Sequence, residues 1–408
     1  MSSDMRCSQQ EAVVKKVTAL GATAIAGNRS ECAGDADVNK VLIGGGPSGT
    51  ISVADFNGSS FNIVANNTVA GTSASWLLFK EPNLLYAVDE NSNTTRLFNF
   101  DPDINELGLV QNATGSSGVV FLEFNKEKTV MVGAGYGEGT VDVWDVSARN
   151  GAMKLLKSIT VGGTPGPVSG RQDSPHPHQA LLDPSGRFFV VNDLGTDTIL
   201  IIDSKADFDI TNRITVKPAG NGPRHGTFYP PGAHKATHYF LASEIASLIK
   251  AFELTYTDND KGLEFKEIQS ISTFGDDFPP ADPTTASAGE LVISADGKHL
   301  YVSNRLTGND TDSISHFSID MGKDEPLDFV DQISSGGVQP RMFSLAADDS
   351  LLFSTNQDGD DGLLAFTRDA HTGSLAEKPV ASVSLEVFGA PSFGPQYVKE
   401  VGTKRRKS

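Results

Sequence analysis

One motif recurs six times along this chain of 408 residues, and it constrains the fold more than any other feature. Each copy has a short apolar strand, a turn rich in Gly, Pro or Asp, a second apolar strand and then a polar residue. The copy at 178–193 reads HQALLDPSGRFFVVND, and the copy at 289–305 reads GELVISADGKHLYVSNR. Successive copies end 45 to 61 residues apart, which leaves room for about four strands, the size of one propeller blade.

The repeats predict an all-β fold, a seven-bladed β-propeller. Runs such as LLYAV, FFVVN and LYVSN are β-branched or aromatic and are bounded by turn residues, as strands are. Six blades are complete, and we expect a seventh to be built by both ends of the chain. The segment VLIGGGPSGTISVADF at 41–56 would supply its first strands, and KPVASVSLEVF at 378–388 would pair beside them. Such a joint closes the ring and removes two exposed sheet edges.

The repeats also define the expected domain organisation. We expect one propeller domain at 38–401, an N-terminal extension at 1–37 and a basic tail at 402–408. The net charge of −18 repels phosphate backbones, so nucleic acid is not an expected partner. No apolar run approaches about 20 residues, so no membrane span is expected. The cluster at 404–407, KRRK, could be a localisation signal, but a solvated tail is the preferred interpretation.

The N-terminal extension leaves the location of the protein open between extracellular and cytoplasmic. Lys15 and Lys16 precede a weakly apolar stretch, and the sequence AIA at 24–26 has the form of a signal cleavage site. Six N-x-S/T sequons favour a secretory history, at Asn28, Asn57, Asn66, Asn93, Asn112 and Asn309. A disordered cytosolic extension with incidental sequons is the alternative. The two cysteines, Cys7 and Cys32, form neither a disulfide framework nor a metal site.

Two short motifs imitate other protein classes. The sequence GGGPSG at 44–49 fits the glycine pattern of dinucleotide-binding folds, in which a helix follows the glycines. Here the following residues, TISVADFNG, are β-branched and have no helical period, so we predict a hairpin turn. The pair Trp144-Asp145 occurs once, whereas WD repeats carry it in most blades, so we predict ordinary strand packing.

Two sets of equivalent positions are expected to meet on one face of the ring. The start of the first strand lies beside the end of the second in an antiparallel hairpin, and these would be the innermost strands of each blade. The residues at which the motifs begin are Ser75, Val120, His178, Arg224, Gly289 and Arg341. The residues at which the second strands end are Glu90, Gly135, Asp193, Glu244, Arg305 and Gln357.

These positions would bring three arginines, Arg224, Arg305 and Arg341, to the mouth of one channel. They would repel each other unless carboxylates or an anionic ligand compensate. The guanidinium group suits carboxylate and phosphate, and Arg224 is expected to pair with Glu244 of the same blade. The alternative interpretation is a set of salt bridges that tie neighbouring blades together.

The sequence SPHPHQ places two histidines, His176 and His178, next to this face. We expect one to act in acid–base chemistry with a pKa near the working pH and the other to pack in the loop. The H-x-H pattern could also be a metal pair, but no third ligand is placed by the sequence, so no metal site is predicted.

Several segments together resemble the seven-bladed lactonase family. They include PHPHQALLDPSGRFFVVNDLGTD, NGPRHGTFYP, SADGKHLYVSNR and QPRMFSLAADDSLLFSTNQ, and the resemblance extends over about residues 40–401. The family includes 6-phosphogluconolactonases of the propeller type and the carboxy-cis,cis-muconate cyclising enzyme. By its P-H-x-H, G-P-R-H and S-N-R motifs, the resemblance implies catalytic roles for His178 or its neighbour His176, and for Arg224, Glu244 and Arg305.

The resemblance implies an enzyme that hydrolyses the intramolecular ester of an anionic sugar acid or a related small lactone. A cycloisomerase that forms a lactone from a carboxymuconate-type dicarboxylate is the first alternative, and a non-catalytic binding propeller is the second. We expect His176, Asp193, Arg341 and Gln357 to bind substrate. The expected partner is thus a small anionic lactone or dicarboxylate, and neither reaction requires a metal or organic cofactor. The sequence does not indicate an oligomeric state.

Overall fold

The structure, a computed structural model, describes residues 38–257, 259–389 and 393–402. These residues form seven four-stranded antiparallel sheets, the arrangement of a seven-bladed propeller, and one short 3-10 helix at Leu385–Phe388. The predicted fold class is therefore confirmed. The possible signal sequence, Cys7, Cys32, the sequon at Asn28 and the basic cluster at 404–407 lie outside the described residues. No helix among the described residues is long and apolar enough to cross a membrane.

The strands are numbered along the chain, and each sheet is called a blade. Blade 1 contains β1 (Asn39–Gly44), β2 (Thr50–Phe56), β3 (Phe61–Thr68) and β28 (Tyr397–Val401). Blade 2 contains β4 (Leu77–Lys80), β5 (Leu84–Ala87), β6 (Thr94–Asp101) and β7 (Glu106–Thr114). Blade 3 contains β8 (Val119–Phe124), β9 (Val130–Gly135), β10 (Thr140–Asp145) and β11 (Lys154–Thr160).

The remaining four blades follow the same order. Blade 4 contains β12 (Pro177–Leu182), β13 (Phe188–Asp193), β14 (Thr198–Asp203) and β15 (Asp209–Thr215). Blade 5 contains β16 (Pro223–Tyr229), β17 (His238–Ser243), β18 (Leu248–Thr257) and β19 (Gly262–Ser272). Blade 6 contains β20 (Ser287–Ile293), β21 (His299–Arg305), β22 (Ser313–Ile319) and β23 (Leu327–Ser334). Blade 7 contains β24 (Phe343–Leu345), β25 (Leu351–Thr355), β26 (Asp361–Thr367) and β27 (Ala381–Ser384).

The hydrophobic pattern of each strand follows its place in the blade. The second and third strands are covered on both faces by neighbouring blades, so they read as continuous apolar runs, such as the fully buried β13. The outer strands are covered less, and β11 and β15 alternate between exposed and partly buried residues. The period of two that usually marks a half-buried strand is therefore confined to the outer edges of the blades.

The core of the ring consists of seven apolar clusters, each between two neighbouring blades. For example, Leu42 of blade 1 packs with Leu85 of blade 2, and Tyr239 of blade 5 packs with Val190 of blade 4. The last blade packs on the first through Phe353 and Val41. Because one such cluster lies between every neighbouring pair, the ring closes without a gap.

The ring is closed by a different C-terminal segment from the one predicted. Ala381–Ser384, within the predicted segment at 378–388, pairs with β26 and forms the outer strand of blade 7. The closing strand is Tyr397–Val401, which pairs antiparallel with β1 and becomes the innermost strand of blade 1. The prediction of closure by both termini is confirmed, but the prediction that 378–388 closes blade 1 is wrong. The outer edge of blade 1 is already formed by β3, so the inner edge beside β1 is where a further strand pairs.

The hairpin prediction for the sequence GGGPSG is confirmed. Gly44 ends β1, Thr50 begins β2, and the two strands pair antiparallel across the turn. Gly49 has φ of +68°, and a Cβ there would lie 2.0 Å from the carbonyl oxygen of Val69. This turn thus needs glycine for its backbone conformation and its close packing. Trp144 is buried between blades 2 and 3, as strand packing predicts.

Candidate active site

A β-bulge at the start of the innermost strand in four consecutive blades shapes one mouth of the ring. In β12 the bulge contains His178, in β16 it contains Arg224 and His225, and in β20 it contains Gly289 and Glu290. In β8 it contains Val120. A bulge inserts an unpaired residue and changes the direction of the side chains around it. The bulges therefore place side chains at the channel mouth that a regular strand would direct into the blade interfaces.

A cavity of about 310 Å³ lies at this mouth. Five of the eight predicted site residues line it: His178, Arg224, Glu244, Arg305 and Arg341. Glu90, Asn91 and Tyr136 also line it. The residues come from blades 2 to 7, so the cavity is assembled by the ring as a whole. Its volume is within the range of small-molecule sites.

Glu244 is the centre of an ion-pair cluster in the cavity wall. Its Oε2 lies 2.7 Å from Nε of Arg224 and 2.9 Å from a terminal guanidinium nitrogen of Arg305. Its Oε1 is bound by Arg171, which comes from the loop before blade 4. The predicted pairing of Arg224 with Glu244 is confirmed, and the pair with Arg305 also connects blade 5 to blade 6. The cluster therefore both ties blades together and gathers cations in one wall.

The charge states of this cluster follow from burial and neighbours. Burial alone would raise the pKa of Glu244, but the charges of Arg305 and Arg224 lower it to about 2. Burial and the charge of Arg305 lower the pKa of Arg224 to about 9. Glu244 is thus ionised at neutral pH and is held by three guanidinium groups, so it is poorly suited to accept a proton.

Arg341 forms a second ion pair in the cavity wall. Its two terminal nitrogens donate to the two carboxylate oxygens of Glu90 at 3.0 and 2.7 Å. This bidentate geometry fixes the orientation of the guanidinium group. Burial opposes ionisation of Glu90, but the charge of Arg341 together with hydrogen bonds from Arg341, Ser75 and Gln396 outweighs it and lowers the pKa of the carboxyl group.

His178 is connected to a buried carboxylate through a second histidine. Its Nδ1 lies 3.1 Å from Nε2 of His225, and Nδ1 of His225 lies 3.0 Å from each carboxylate oxygen of Glu290. All three side chains are buried. Because Nδ1 of His178 is engaged by His225, Nε2 is the ring nitrogen left to face the cavity.

The pKa of His178 differs from the sequence-based expectation of a value near working pH. Burial, together with the charges of Arg224, His225, Arg341 and Arg305, lowers this pKa well below its usual value of 6.5. His178 is therefore neutral at pH 7, and its free ring nitrogen is a proton acceptor. The sequence placed the histidine near arginines but could not show how completely they surround it.

Aromatic side chains fill the centre of the ring below the cavity. The indole of Trp76 lies edge-to-face with the rings of His225 and Tyr397, at centroid distances of 5.6 and 5.2 Å. Its Nε1 donates to the carbonyl oxygen of Leu122 at 3.2 Å. Trp76 and Phe121, whose ring centroids lie 4.2 Å apart, thus form an apolar floor against one side of the His225 ring.

Three predicted site residues lie outside the cavity wall. His176 stacks on the ring of Tyr136 at 4.4 Å, and its Nδ1 contacts the carbonyl oxygen of Tyr136 at 2.7 Å. Asp193 is fully buried and accepts hydrogen bonds from the backbone N–H groups of His176 and Gly195, so it supports the loop that carries the histidines. Gln357 is buried just beyond the end of β25 and does not line the cavity.

Four residues that the sequence analysis did not single out contribute to the site: Tyr136, Arg171, His225 and Glu290. Tyr136, His225 and Glu290 each directly follow a residue of the two predicted sets, so reading one position further at each site would have found them. Arg171 lies in a loop between blades, and no signal in the repeat indicates it. Among the described residues, no group of three or more His, Cys, Asp or Glu side chains is arranged to hold a metal ion.

Comparisons with known proteins agree with this architecture. A family model described as "Lactonase, 7-bladed beta-propeller" matches residues 40–385. A fungal protein of Arthroderma benhamiae, described as "Probable 6-phosphogluconolactonase", is 32% identical over 343 residues, which cover 82% of each chain. A Lactococcus lactis protein without an assigned function is 31% identical over 320 residues, 76% of this chain and 85% of the relative. The solved periplasmic gluconolactonase of Pseudomonas aeruginosa has the same fold, with a TM-score of 0.75 and 22% identity over 90% of this chain and 99% of that one.

Proposed function

Because the chain belongs to the seven-bladed β-propeller lactonase family, we propose that it hydrolyses the intramolecular ester of an anionic sugar acid, as a 6-phosphogluconolactonase-like enzyme. The fungal relative described as a probable 6-phosphogluconolactonase supports this substrate class. The observation that carries the proposal is the neutral His178 in the same cavity as three guanidinium groups. Ester hydrolysis needs this combination of a proton acceptor and a stabiliser of negative charge.

In the proposed reaction, Nε2 of His178 accepts a proton from a water molecule in the cavity. The hydroxide oxygen bonds to the lactone carbonyl carbon, and the carbonyl oxygen becomes an oxyanion. Arg224 and Arg305 are held by Glu244 and would stabilise this charge. The bond from that carbon to the ring oxygen then breaks, and the ring oxygen takes the proton back from His178. The product is an open hydroxy acid, which ionises to a carboxylate at neutral pH.

The charge balance of the wall supports an anionic substrate. Four guanidinium groups, those of Arg171, Arg224, Arg305 and Arg341, share two carboxylates, Glu90 and Glu244. The three guanidinium groups that line the cavity exceed its two carboxylates by one positive charge, in a protein whose net charge is −18. A phosphate or carboxylate on the substrate would compensate this excess, and Arg341 would bind it from its fixed position on Glu90.

The two alternatives are less well supported by the site. Cyclisation of a dicarboxylate needs an acid that protonates carbon after ring closure. His178 is neutral with its free nitrogen unprotonated, and Glu244 is ionised, so neither is poised as that acid. A non-catalytic binding propeller would not need a buried base connected to a carboxylate. Lactone hydrolysis needs a neutral base beside cationic groups, which is the combination expected for His178 and the arginines.

The proposal is tested by measuring acid release in a pH-stat with 6-phosphogluconolactone, gluconolactone and a carboxymuconate. We expect turnover of the phosphorylated lactone to exceed that of the neutral one, and His178→Asn to abolish it. Arg187→Ala serves as the control, because Arg187 pairs with the buried Asp203 in blade 4 and does not line the cavity. Equal activity of His178→Asn and wild type would overturn the assigned base, and ring closure of the muconate without lactone hydrolysis would overturn the proposed reaction.

A further inference from the structure

We propose that His225 and Glu290 are positioning residues, which hold His178 in the tautomer with a free Nε2 and take up the positive charge of the proton that His178 accepts. This inference rests on the proposed function, because it assigns the partners of the same base. It adds two buried groups that do not line the main cavity and extends the active site into the centre of the ring.

The hydrogen-bond partners define the tautomers. A carboxylate only accepts, so Nδ1 of His225, at 3.0 Å from both oxygens of Glu290, carries a proton. In a neutral imidazole the other nitrogen then accepts, so Nε2 of His225 accepts from Nδ1–H of His178 at 3.1 Å. His178 is left with an unprotonated Nε2, the form that a general base needs.

The surroundings hold this chain of groups in one orientation. His225 and Glu290 lie in the bulges of β16 and β20, and both are buried. Trp76 and Phe121 contact the ring of His225 edge-to-face, each at a centroid distance of 5.6 Å. Oε1 of Glu290 also accepts from the backbone N–H of Leu291 at 3.0 Å. Rotation of the His225 ring would break its contacts with Trp76, Phe121 and Glu290. The chain of His178, His225 and Glu290 is therefore preorganised before substrate binds.

The distribution of charge explains why a second imidazole is useful. The titratable and charged groups around the two rings are Tyr136, Arg224, Glu290, Arg305 and Arg341, and Tyr397 is close enough to Glu290 for its pKa to be raised by that charge. A proton that stayed on His178 would make it a cation beside three arginines. If its Nδ1 proton moves to Nε2 of His225, the positive charge lies beside the carboxylate of Glu290 instead.

The proton transfers balance over the reaction. A proton from water bonds to Nε2 of His178, while the proton on Nδ1 moves to Nε2 of His225. His178 stays neutral, and His225 becomes an imidazolium paired with Glu290. When the ring oxygen leaves the tetrahedral intermediate, it takes the proton from Nε2 of His178, and the Nδ1 proton returns from His225. No oxidant, reductant or further reactant is needed.

A second buried histidine pair provides a matched control. Between blades 6 and 7, Nδ1 of His299 lies 3.0 Å from Nε2 of His316, and Nδ1 of His316 lies 3.4 Å from a carboxylate oxygen of Asp331. This trio has the same order of groups but does not line the cavity. Loss of its hydrogen bond and ion-pair contact should therefore affect stability without affecting the chemistry.

The kinetic test compares His225→Phe, His225→Gln and Glu290→Gln with His316→Phe on the lactone that the wild type hydrolyses. His225→Phe keeps an aromatic ring but removes the acceptor, so we expect kcat to fall about 10²-fold or more while KM changes less. His225→Gln can restore an acceptor oxygen but cannot take up a proton, so we expect its kcat to lie between those of His225→Phe and the wild type. His316→Phe should lower Tm and leave kcat unchanged.

The pH profile separates positioning from a purely structural role. Burial lowers the pKa of His225, and the charge of Glu290 opposes this. Glu290→Gln removes the opposing charge, so the pKa of the histidine pair should fall. The rise of kcat/KM with pH on the acid side should therefore move to lower pH, and the maximal kcat/KM should decrease. A purely structural defect would lower the maximal kcat/KM through loss of folded enzyme and would leave the pH of the rise unchanged. That outcome, or full activity of His225→Phe, would overturn the proposal.

A spectroscopic readout makes the test independent of turnover. In ¹⁵N NMR of the wild type at pH 7, with His178→Asn used for assignment, we expect an unprotonated Nε2 and a protonated Nδ1 on His178. His225→Phe should move protonation toward Nε2. A wild type with protonated Nε2 would overturn the relay even if the lactone is hydrolysed. The expected tautomers without activity on any lactone would instead overturn the proposed function and leave the positioning role intact.

Discussion

Arg305 lines the cavity and also connects blade 6 to blade 5 through its ion pair with Glu244. It shares Glu244 with Arg224 and Arg171, and its terminal nitrogen also donates to the carbonyl oxygen of Ala288 at 3.0 Å. In Arg305→Ala the carboxylate keeps two cationic partners, so the buried charge is not left alone. We expect kcat/KM for a lactone to fall about 10²–10³-fold with a small change in Tm.

The measurement is steady-state kinetics together with thermal unfolding. The control is Arg187→Ala, which removes the cation from the buried Asp203 and should lower Tm while kcat is retained. If Arg305→Ala unfolds the protein as much as Arg187→Ala does and keeps its activity per folded molecule, Arg305 is a structural tie between blades and not part of the chemistry.

The sequence predicted the cavity-lining residues well where the repeat placed one polar side chain at the start of the first strand or at the end of the second. His178, Arg224, Glu244, Arg305 and Arg341 were found in this way. It missed His225 and Glu290 because a regular strand directs neighbouring side chains to opposite faces, and only the bulges bring both neighbours to the site. The pattern of apolar and polar residues does not indicate where a bulge inserts its extra residue.

At the scale of the element, the hairpin between β1 and β2 depends on one glycine. In Gly49→Ala the backbone keeps φ near +68°, and the new Cβ would meet the carbonyl oxygen of Val69 at 2.0 Å. We expect the free energy of unfolding to fall by about 2 kcal/mol or more from strain and displacement of the turn. Urea unfolding followed by fluorescence measures this.

Gly58→Ala is the matched control for the hairpin. Gly58 also has a positive φ, of +94°, but no atom lies within 4 Å of the position of an added Cβ. The free energy of unfolding of Gly58→Ala should therefore fall only by the strain of an Ala in the left-handed conformation, about 1 kcal/mol. Equal losses in the two variants would mean that close packing at Gly49 does not matter.

The strands that complete blades 1 and 7 could not be assigned correctly from the pattern of apolar residues alone. The segment 378–388 was predicted to close the ring, and its strand at 381–384 alternates, yet alternation is typical of an outer strand here. The true closing strand, YVKEV, is short and carries two charges, so its pattern does not stand out from a loop. The free edge that it fills is visible only when the whole ring is assembled.

At the scale of the molecule, burial of titratable groups predicts a loss of stability in acid. Burial lowers the pKa of His178 and of His225, so the unfolded chain binds more protons than the folded protein below about pH 6.5. The arginine charges lower the pKa of Glu244 to about 2, so that stability is lost further as the pH falls from about 4 toward 2. Both effects have the same sign, and stability falls as the pH decreases.

We expect Tm to be nearly constant between pH 7 and 8 and to decrease progressively below about pH 6.5. Differential scanning calorimetry in buffers of equal ionic strength measures this. In His178→Asn the decrease between pH 6.5 and 5 should be less steep, because one buried neutral histidine is gone. A Tm that stays constant down to pH 5 in the wild type would contradict this account.

The closing strand has a consequence for biosynthesis. Residues 397–401 are translated after everything else in the ring, so blade 1 has only three strands until these residues leave the ribosome. Residues of that strand also pack into the interfaces of blade 1 with blades 2 and 7, which supply Glu90 and Arg341. A chain that ends before residue 397 would therefore carry all the residues of the proposed active site and still lack the strand that closes blade 1.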